Sequence, residues 1–147
     1  MSTVIQLMDA LAVTIQTQLC GTANPVIPQL QVDGRLIPNP TPPSVDVYPN
    51  ENFIQSTGFG HNQKMYSFTV RARVSTADNE AGQDLLLKMM DDEGAESLEA
   101  AIWRAPTLGG VGNVKSVMGP SAYGLFLIPA QAGMNLLGCT WEVLVQP

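Results

Sequence analysis

From Val4 to Leu19 the apolar residues Val4, Met8, Leu11, Ile15 and Leu19 recur at steps of three and four, widened by Leu7 and Ala12. Gln6, Asp9, Gln16 and Gln18 fall mostly off that stripe. The spacing predicts an amphipathic helix over roughly residues 3–20. Ser2 or Thr3 can accept from the orphan amides at its start, and Gly21 is expected to end it in the left-handed conformation. Prolines then stand at 25, 28, 38, 40, 42 and 43. Each removes an amide donor and biases its predecessor towards extended backbone, so this region predicts short strands and loops. Leu30 and Val32 precede the turn dipeptide Asp33-Gly34, and Ser44 to Tyr48 alternates as a second strand should. Residues 50–63, polar and glycine-bearing, predict a loop.

The strongest alternation runs from Lys64 to Ser75. Tyr66, Phe68, Val70, Ala72 and Val74 point one way, Ser67, Thr69, Arg71 and Arg73 the other, which predicts one core face and one wet face. Thr76-Ala77-Asp78 offers caps for a helix to about Met90, with Ala81, Leu85 and Met89 at steps of four and Leu86 beside them. A shorter helix is expected from Ser97 to Trp103. The last third mixes glycine-containing turns with apolar pairs. It closes on a strand in which Cys139, Trp141, Val143 and Val145 alternate with Thr140, Glu142 and Leu144. Helix, strands, two helices, strands is the order of an α+β fold rather than a parallel βαβ series. The expectation is a mixed or antiparallel sheet with an N-terminal amphipathic helix and a helical hairpin packed on it.

Composition sharpens this picture in three ways. With 147 residues and 45% apolar content, the chain suits one domain, 1–147, with a real core. Charged residues are only 14% of it, against about 25% in typical globular chains. Of the seven Lys+Arg and thirteen Asp+Glu, twelve lie between Arg71 and Arg104, so the helical hairpin is expected to be the solvated face and the neutral flanks to be covered by something else. The net charge of −6 argues against tight binding to nucleic-acid phosphates. Residues 116–141 carry no charge, but Gly119, Pro120, Gly124, Pro129, Gly133, Asn135 and Gly138 interrupt them, so no membrane span is expected. The N-terminus lacks a basic segment and holds Asp9 within its apolar pattern, unlike a secretory signal, so folding in a cytoplasm is expected. Cys20 and Cys139 then read as two buried thiols in preference to a disulfide.

Candidate chemistry is sparse. His61, the only histidine, sits in a polar loop with no nucleophile signature and no orienting acid nearby in sequence. One histidine and two isolated cysteines offer no zinc-site spacing. Asp91-Asp92-Glu93 lacks the alternation of a calcium loop and reads as punctuation ahead of a helix. Gly109-Gly110-Val111-Gly112-Asn113-Val114-Lys115-Ser116 has Val114 where a phosphate loop requires glycine, with no helix pattern after it, and reads as a flexible loop. No catalytic residue, metal ligand or cofactor site is expected. Isolated aromatics in turn-rich segments, Phe53, Phe59 and Tyr123, with His61 beside Phe59, are the candidate partner contacts.

The order of segments resembles the tail terminator proteins of long-tailed bacteriophages. The resemblance rests on Ile5-Gln6-Leu7-Met8-Asp9-Ala10-Leu11, on Pro42-Pro43-Ser44-Val45-Asp46-Val47-Tyr48, and on Tyr66 to Val74 running into Thr76-Ala77-Asp78-Asn79-Glu80-Ala81. Leu98-Glu99-Ala100-Ala101-Ile102 and Trp141-Glu142-Val143-Leu144-Val145 complete it. It implies an α+β subunit of a hexameric ring at the head-proximal end of the tail, in the virion. Such a ring stops polymerisation of the tail tube protein and offers a surface to a head-completion or neck protein, while DNA passes the lumen without tight binding. It implies no catalysis and no membrane. Under this reading residues 50–63 and 104–124 are contact loops, with Phe59 the leading contact residue. The alternatives are another neck or minor tail component, such as a head–tail connector, and a small enzyme with an acidic site at Asp91–Glu93.

Overall fold

The computed structural model describes residues 3–21, 25–38, 40, 42–56, 64–75, 79–127 and 135–147, with backbone alone at 51–56, 64, 79, 126–127 and 135. The chain runs as α1 (Thr3–Cys20), β1 (Gln31–Asp33), β2 (Ser44–Ser56), β3 (Lys64–Val74), α2 (Asn79–Met90), α3 (Leu98–Trp103), a single 3-10 turn (Leu108–Gly110), β4 (Asn113–Leu127) and β5 (Asn135–Gln146). The strands form one five-stranded sheet in the order β1-β2-β3-β5-β4. Every neighbouring pair is antiparallel except β1 with β2. The fold is α+β, with an N-terminal helix on a mixed sheet.

The core lies between the helices and one face of the sheet. Leu7, Leu11, Ile15 and Leu19 of α1 are fully buried, as are Val45 and Val47 of β2, Phe68, Val70 and Ala72 of β3 and Cys139, Val143 and Val145 of β5. Trp141 stands among them at 1% exposure. At α1's C-terminus, the Cys20 carbonyl accepts from Gln16 Nε2 at 3.3 Å and the Leu19 carbonyl from Ile27 N at 2.8 Å, so carbonyls the helix leaves open find donors. Gly21 is not left-handed there, contrary to expectation. Its requirement is space, since a Cβ would stand 2.6 Å from Thr17 Cα. Ser97 caps α3 as its position suggests, its Oγ accepting from Ala100 N at 3.1 Å. Asp91, Asp92 and Glu93 are exposed in the connection ahead of it, so the cap falls to a hydroxyl rather than to the acids.

Three expectations are corrected. Asp33-Gly34 does not close a hairpin: β1 runs parallel to β2, with Gln31 opposite Ser44, and residues 34–43 carry the chain back to the start of β2. A parallel pair needs such a return rather than a two-residue turn. The stretch expected as a loop at 50–63 is strand through Ser56, where β2 resumes pairing with β3 after an irregularity between Pro49 and Ile54; residues 57–63 lie outside the described ones. Residues 113–124, expected as loop, belong to β4, which keeps its pairing with β5 through three register irregularities around Lys115, Gly119-Pro120 and Ala122-Tyr123. Bulges absorb the extra residues, and an edge strand tolerates a proline whose missing amide faces outwards.

The face of β3 expected to be wet is corrected as well. Ser67 is 4% exposed and Arg73 3%. Ile37, buried between β1 and β2 in the chain, lies on this side of the sheet and hydrogen-bonds to Arg73 and Asp46.

Candidate interaction surfaces and the Asp46 centre

Alternation along β2 and β3 places Ser44, Asp46, Tyr48, Ser67, Thr69, Arg71 and Arg73 on the side away from the helices. Register sets Asp46 opposite Arg71 and Ser44 opposite Arg73. The Asp46 carboxylate is fully buried and accepts from Arg71 twice, Nε at 3.1 Å and Nη2 at 2.5 Å, in the forked geometry that arginine offers a carboxylate. Arg73 Nη2 reaches the same carboxylate at 3.4 Å and the Ile37 carbonyl at 2.8 Å, while Ile37 N donates to Asp46 Oδ2 at 3.2 Å. Arg71 also lies over the Tyr48 ring, 5.3 Å from its centroid. Burial pushes the Tyr48 hydroxyl above the ordinary tyrosine range, with Arg71 opposing, and pulls Arg73 below the ordinary arginine range, with Asp46 opposing.

This centre looks chemically rich but acts as a clamp. Its carboxylate is enclosed by donors from its own chain, and what it fastens is the return segment at Ile37. Ser44 Oγ and Arg73 Nε, both buried, have no hydrogen-bond partner among the described residues. Sequence reasoning missed the centre because Arg71 and Arg73 sit on the polar half of a clean alternation. Only the register with β2 brings Asp46 beneath them.

Of the predicted contact residues, only Phe53, by its backbone, and Tyr123 fall among the described ones. Phe59 and His61 lie outside the described residues. Phe53 stands in β2 rather than in a loop, within the stretch where pairing with β3 is irregular. Tyr123 is 46% exposed, on β4 rather than on a loop. Met118 at 55% and Leu125 at 64% share that edge strand and escaped notice, because every residue from 116 to 141 is uncharged and none stands out.

A second exposed apolar surface lies on the helices. An open groove of about 710 Å³ runs between α1 and the segment after α3, lined by Ala10, Val13, Thr14, Thr17, Leu108 and Val111. Val13 is 63% exposed and Val111 42%. A signal for it exists in the sequence: Val13, like Ile5, falls off the buried stripe. The one charged residue lining the groove, Asp9, is paired with Arg35 at 2.9 Å.

The remaining candidate chemistry is dispersed. Among the described residues no group of three or more His, Cys, Asp or Glu gathers as a metal site would. Both cysteines are free; Cys139 is buried, which pushes its thiol up to about 12, whereas Cys20, expected to be buried, is only half-buried at the end of α1. Gly109 and Gly110 take positive φ in the 3-10 turn, and β4 rather than a helix follows them. No helix among the described residues is long and apolar enough to cross a membrane. No protein-family model matches the chain, and no curated protein matches it.

Proposed function

We propose that this chain is a ring-forming assembly subunit, a tail terminator of the long-tailed bacteriophage type, made in the host cytoplasm and carried in the virion. The observation that carries the reading is the exposure of apolar side chains on elements with one charge each: Val13 beside its groove on α1, and Met118, Tyr123 and Leu125 on the edge strand β4. Covering such surface with another chain gains about 25 cal/mol per Å² of apolar area before association costs, and strips no ion of its water. Eight of the twenty charged residues sit on α2, the connection after it and α3, against one on α1, Asp9, and one on β4, Lys115.

The resemblance narrows an assembly protein to this type. Its quoted segments fall in successive elements: Ile5–Leu11 in α1, Ser44–Tyr48 in β2, Tyr66–Val74 in β3, Leu98–Ile102 in α3 and Trp141–Val145 in β5. The mechanism is steric. A hexameric ring seated on the growing end of a tube leaves the next tube subunit no complementary face, and its outer side receives the neck protein. Six copies would carry roughly −36 in formal charge, which disfavours retention of DNA in the lumen. No catalytic step is assigned.

Mass measurement in solution followed by electron microscopy, with and without tail tubes, tests this. Closed sixfold rings, free or on tube ends, are expected. A chain that stays monomeric at high concentration and leaves tube ends bare would overturn the proposal.

A further inference from the structure

We infer that the groove between α2 and the segments around Ile27 and Pro43 docks a basic segment of another protein, one that carries an apolar anchor side chain flanked by lysine or arginine. The inference goes beyond the ring reading and does not rest on it. The groove, of about 630 Å³, is lined by Val26, Ile27, Pro28 and Pro43 and by Ala81 and Leu85 of α2, and Asp84, Lys88 and Glu96 also border it. A smaller hollow of about 300 Å³ shares Pro43, Ala81 and Leu85 and carries it on to Val74 and Gly82.

Ala81, Asp84, Leu85 and Lys88 follow one another at helical steps of three and one, so they share a face of α2, while Leu86 and Met89 are buried in the core. Asp84 and Lys88 are exposed and Glu96 is half-buried. Across the groove Val26 stays 38% exposed beside the buried Ile27, whose amide donates to the Leu19 carbonyl at 2.8 Å. Glu96 precedes Ser97, whose hydroxyl donates to the Asp91 carbonyl and accepts from Ala100 N. Both walls are therefore fixed before anything binds, which spares a ligand the cost of ordering them.

Charge selects the occupant. Seven acids against Lys88 and Arg104 lie between Glu80 and Arg104, so this stretch holds five of the chain's six net negative charges. Among the described residues neither Asp84 nor Glu96 is in an ion pair. An uncharged segment covering the groove would strip water from two carboxylates with only Lys88 to compensate, whereas a lysine or arginine on the segment replaces what the water gave. Anionic partners, nucleic acid among them, meet like charge. A second copy brings its own −6 and few cations to offer: Arg35, Arg71 and Arg73 are paired with Asp9 and Asp46, Arg104 donates to the Gly94 carbonyl, and Lys88 borders the groove itself. The apolar lining gives the anchor its place, and the acids select which chain supplies it.

The test titrates the full chain into a fluorescently labelled peptide, two leucines flanked on each side by two lysines, and reads anisotropy, with amide resonances locating the bound peptide. Binding is expected to shift the resonances of Val26, Ala81 and Leu85 and to weaken as sodium chloride rises. Peptides with serine in place of the lysines, or serine in place of the leucines, should bind about tenfold more weakly or worse. Asp84→Asn with Glu96→Gln should cost about tenfold in affinity, whereas Asp91→Asn with Asp92→Asn, which removes the same charge outside the groove, should change it less than about twofold. None of these four side chains is in the core, and thermal melting checks that both variants fold. No binding of the lysine–leucine peptide, equal binding of either serine peptide, or equal losses from the two pairs of substitutions would overturn the proposal, and none of these results depends on whether rings form.

Discussion

Donors from three positions converge on the Asp46 carboxylate: the guanidinium groups of Arg71 and Arg73 and the backbone amide of Ile37. Removing that anion takes from both guanidinium groups the carboxylate they share and leaves the two cations facing one another. Asp46→Ala is therefore expected to lower unfolding free energy by about 3–5 kcal/mol, the range for breaking a buried pair from one side, as measured by urea denaturation. A loss below about 1 kcal/mol would mean that water or other groups take over the role of the carboxylate. The same substitution releases Ile37, so protease cleavage within residues 34–43 should accelerate with it. Arg71 and Arg73 show how a residue-level reading can be right about alternation and wrong about exposure. Their side chains leave the core face as the pattern requires, but the return segment at Ile37 covers the place where they arrive.

At the scale of elements, the structure matches periodicity closely where one face of an element carries the whole apolar pattern. α1 spans Thr3–Cys20, and β3 and β5 bury the alternating residues that predict them, with Tyr66 of β3 half-buried. β4 and the second half of β2 were not legible, because Pro49, Gly119, Pro120 and Gly124 signal turns locally. Pairing with β5 and β3 overrides those signals, at the cost of bulges. α2 supplies a second case of context overriding propensity. Gly82 lies inside this helix, where alanine would ordinarily add up to about 1 kcal/mol of stability. A Cβ there would stand 2.2 Å from the Ser75 carbonyl oxygen, a backbone atom with little freedom to yield. Gly82→Ala should accordingly destabilise, by about 1–3 kcal/mol, as expected when a packed contact is overfilled. An unchanged or raised melting temperature would show that the start of α2 shifts away from Ser75 at no cost.

For the molecule as a whole, the decisive property is the separation of charge from apolar exposure. Acids gather on α2, the connection after it and α3, while Val13, Val111, Met118, Tyr123 and Leu125 stand exposed on or beside elements with few charges. Copies of net charge −6 repel at long range, and salt screens that repulsion over a Debye length of about 10 Å at 0.1 M. Apolar contact is not weakened in the same way. Self-association should therefore strengthen on raising sodium chloride from about 0.05 to 0.5 M, followed by sedimentation at fixed pH. Dissociation under the same change would assign the contact to ion pairs instead. Of the surface as a whole, the sequence announced that neutral segments would be covered by other chains and singled out Tyr123. Val13, Met118 and Leu125 became visible only once the sheet order put β4 at an edge and α1's buried stripe left Val13 on the other side.

By itself the sequence determined the α+β class, the span of α1, the apolar faces of β3 and β5, the short helix near Ser97 to Trp103 and the concentration of charge between Arg71 and Arg104. These follow from the periods 3.6 and 2, from local hydrogen bonding and from counting, all of which act between residues close in the chain. Only the tertiary structure decided the parallel return from β1 to β2, the full length of β2 and β4, the burial of Arg73 against Asp46 and the groove beside Val13. Each of these depends on which distant strand or helix lies opposite. Register and layer order are set by the joint burial of residues tens of positions apart, and no local pattern encodes that choice.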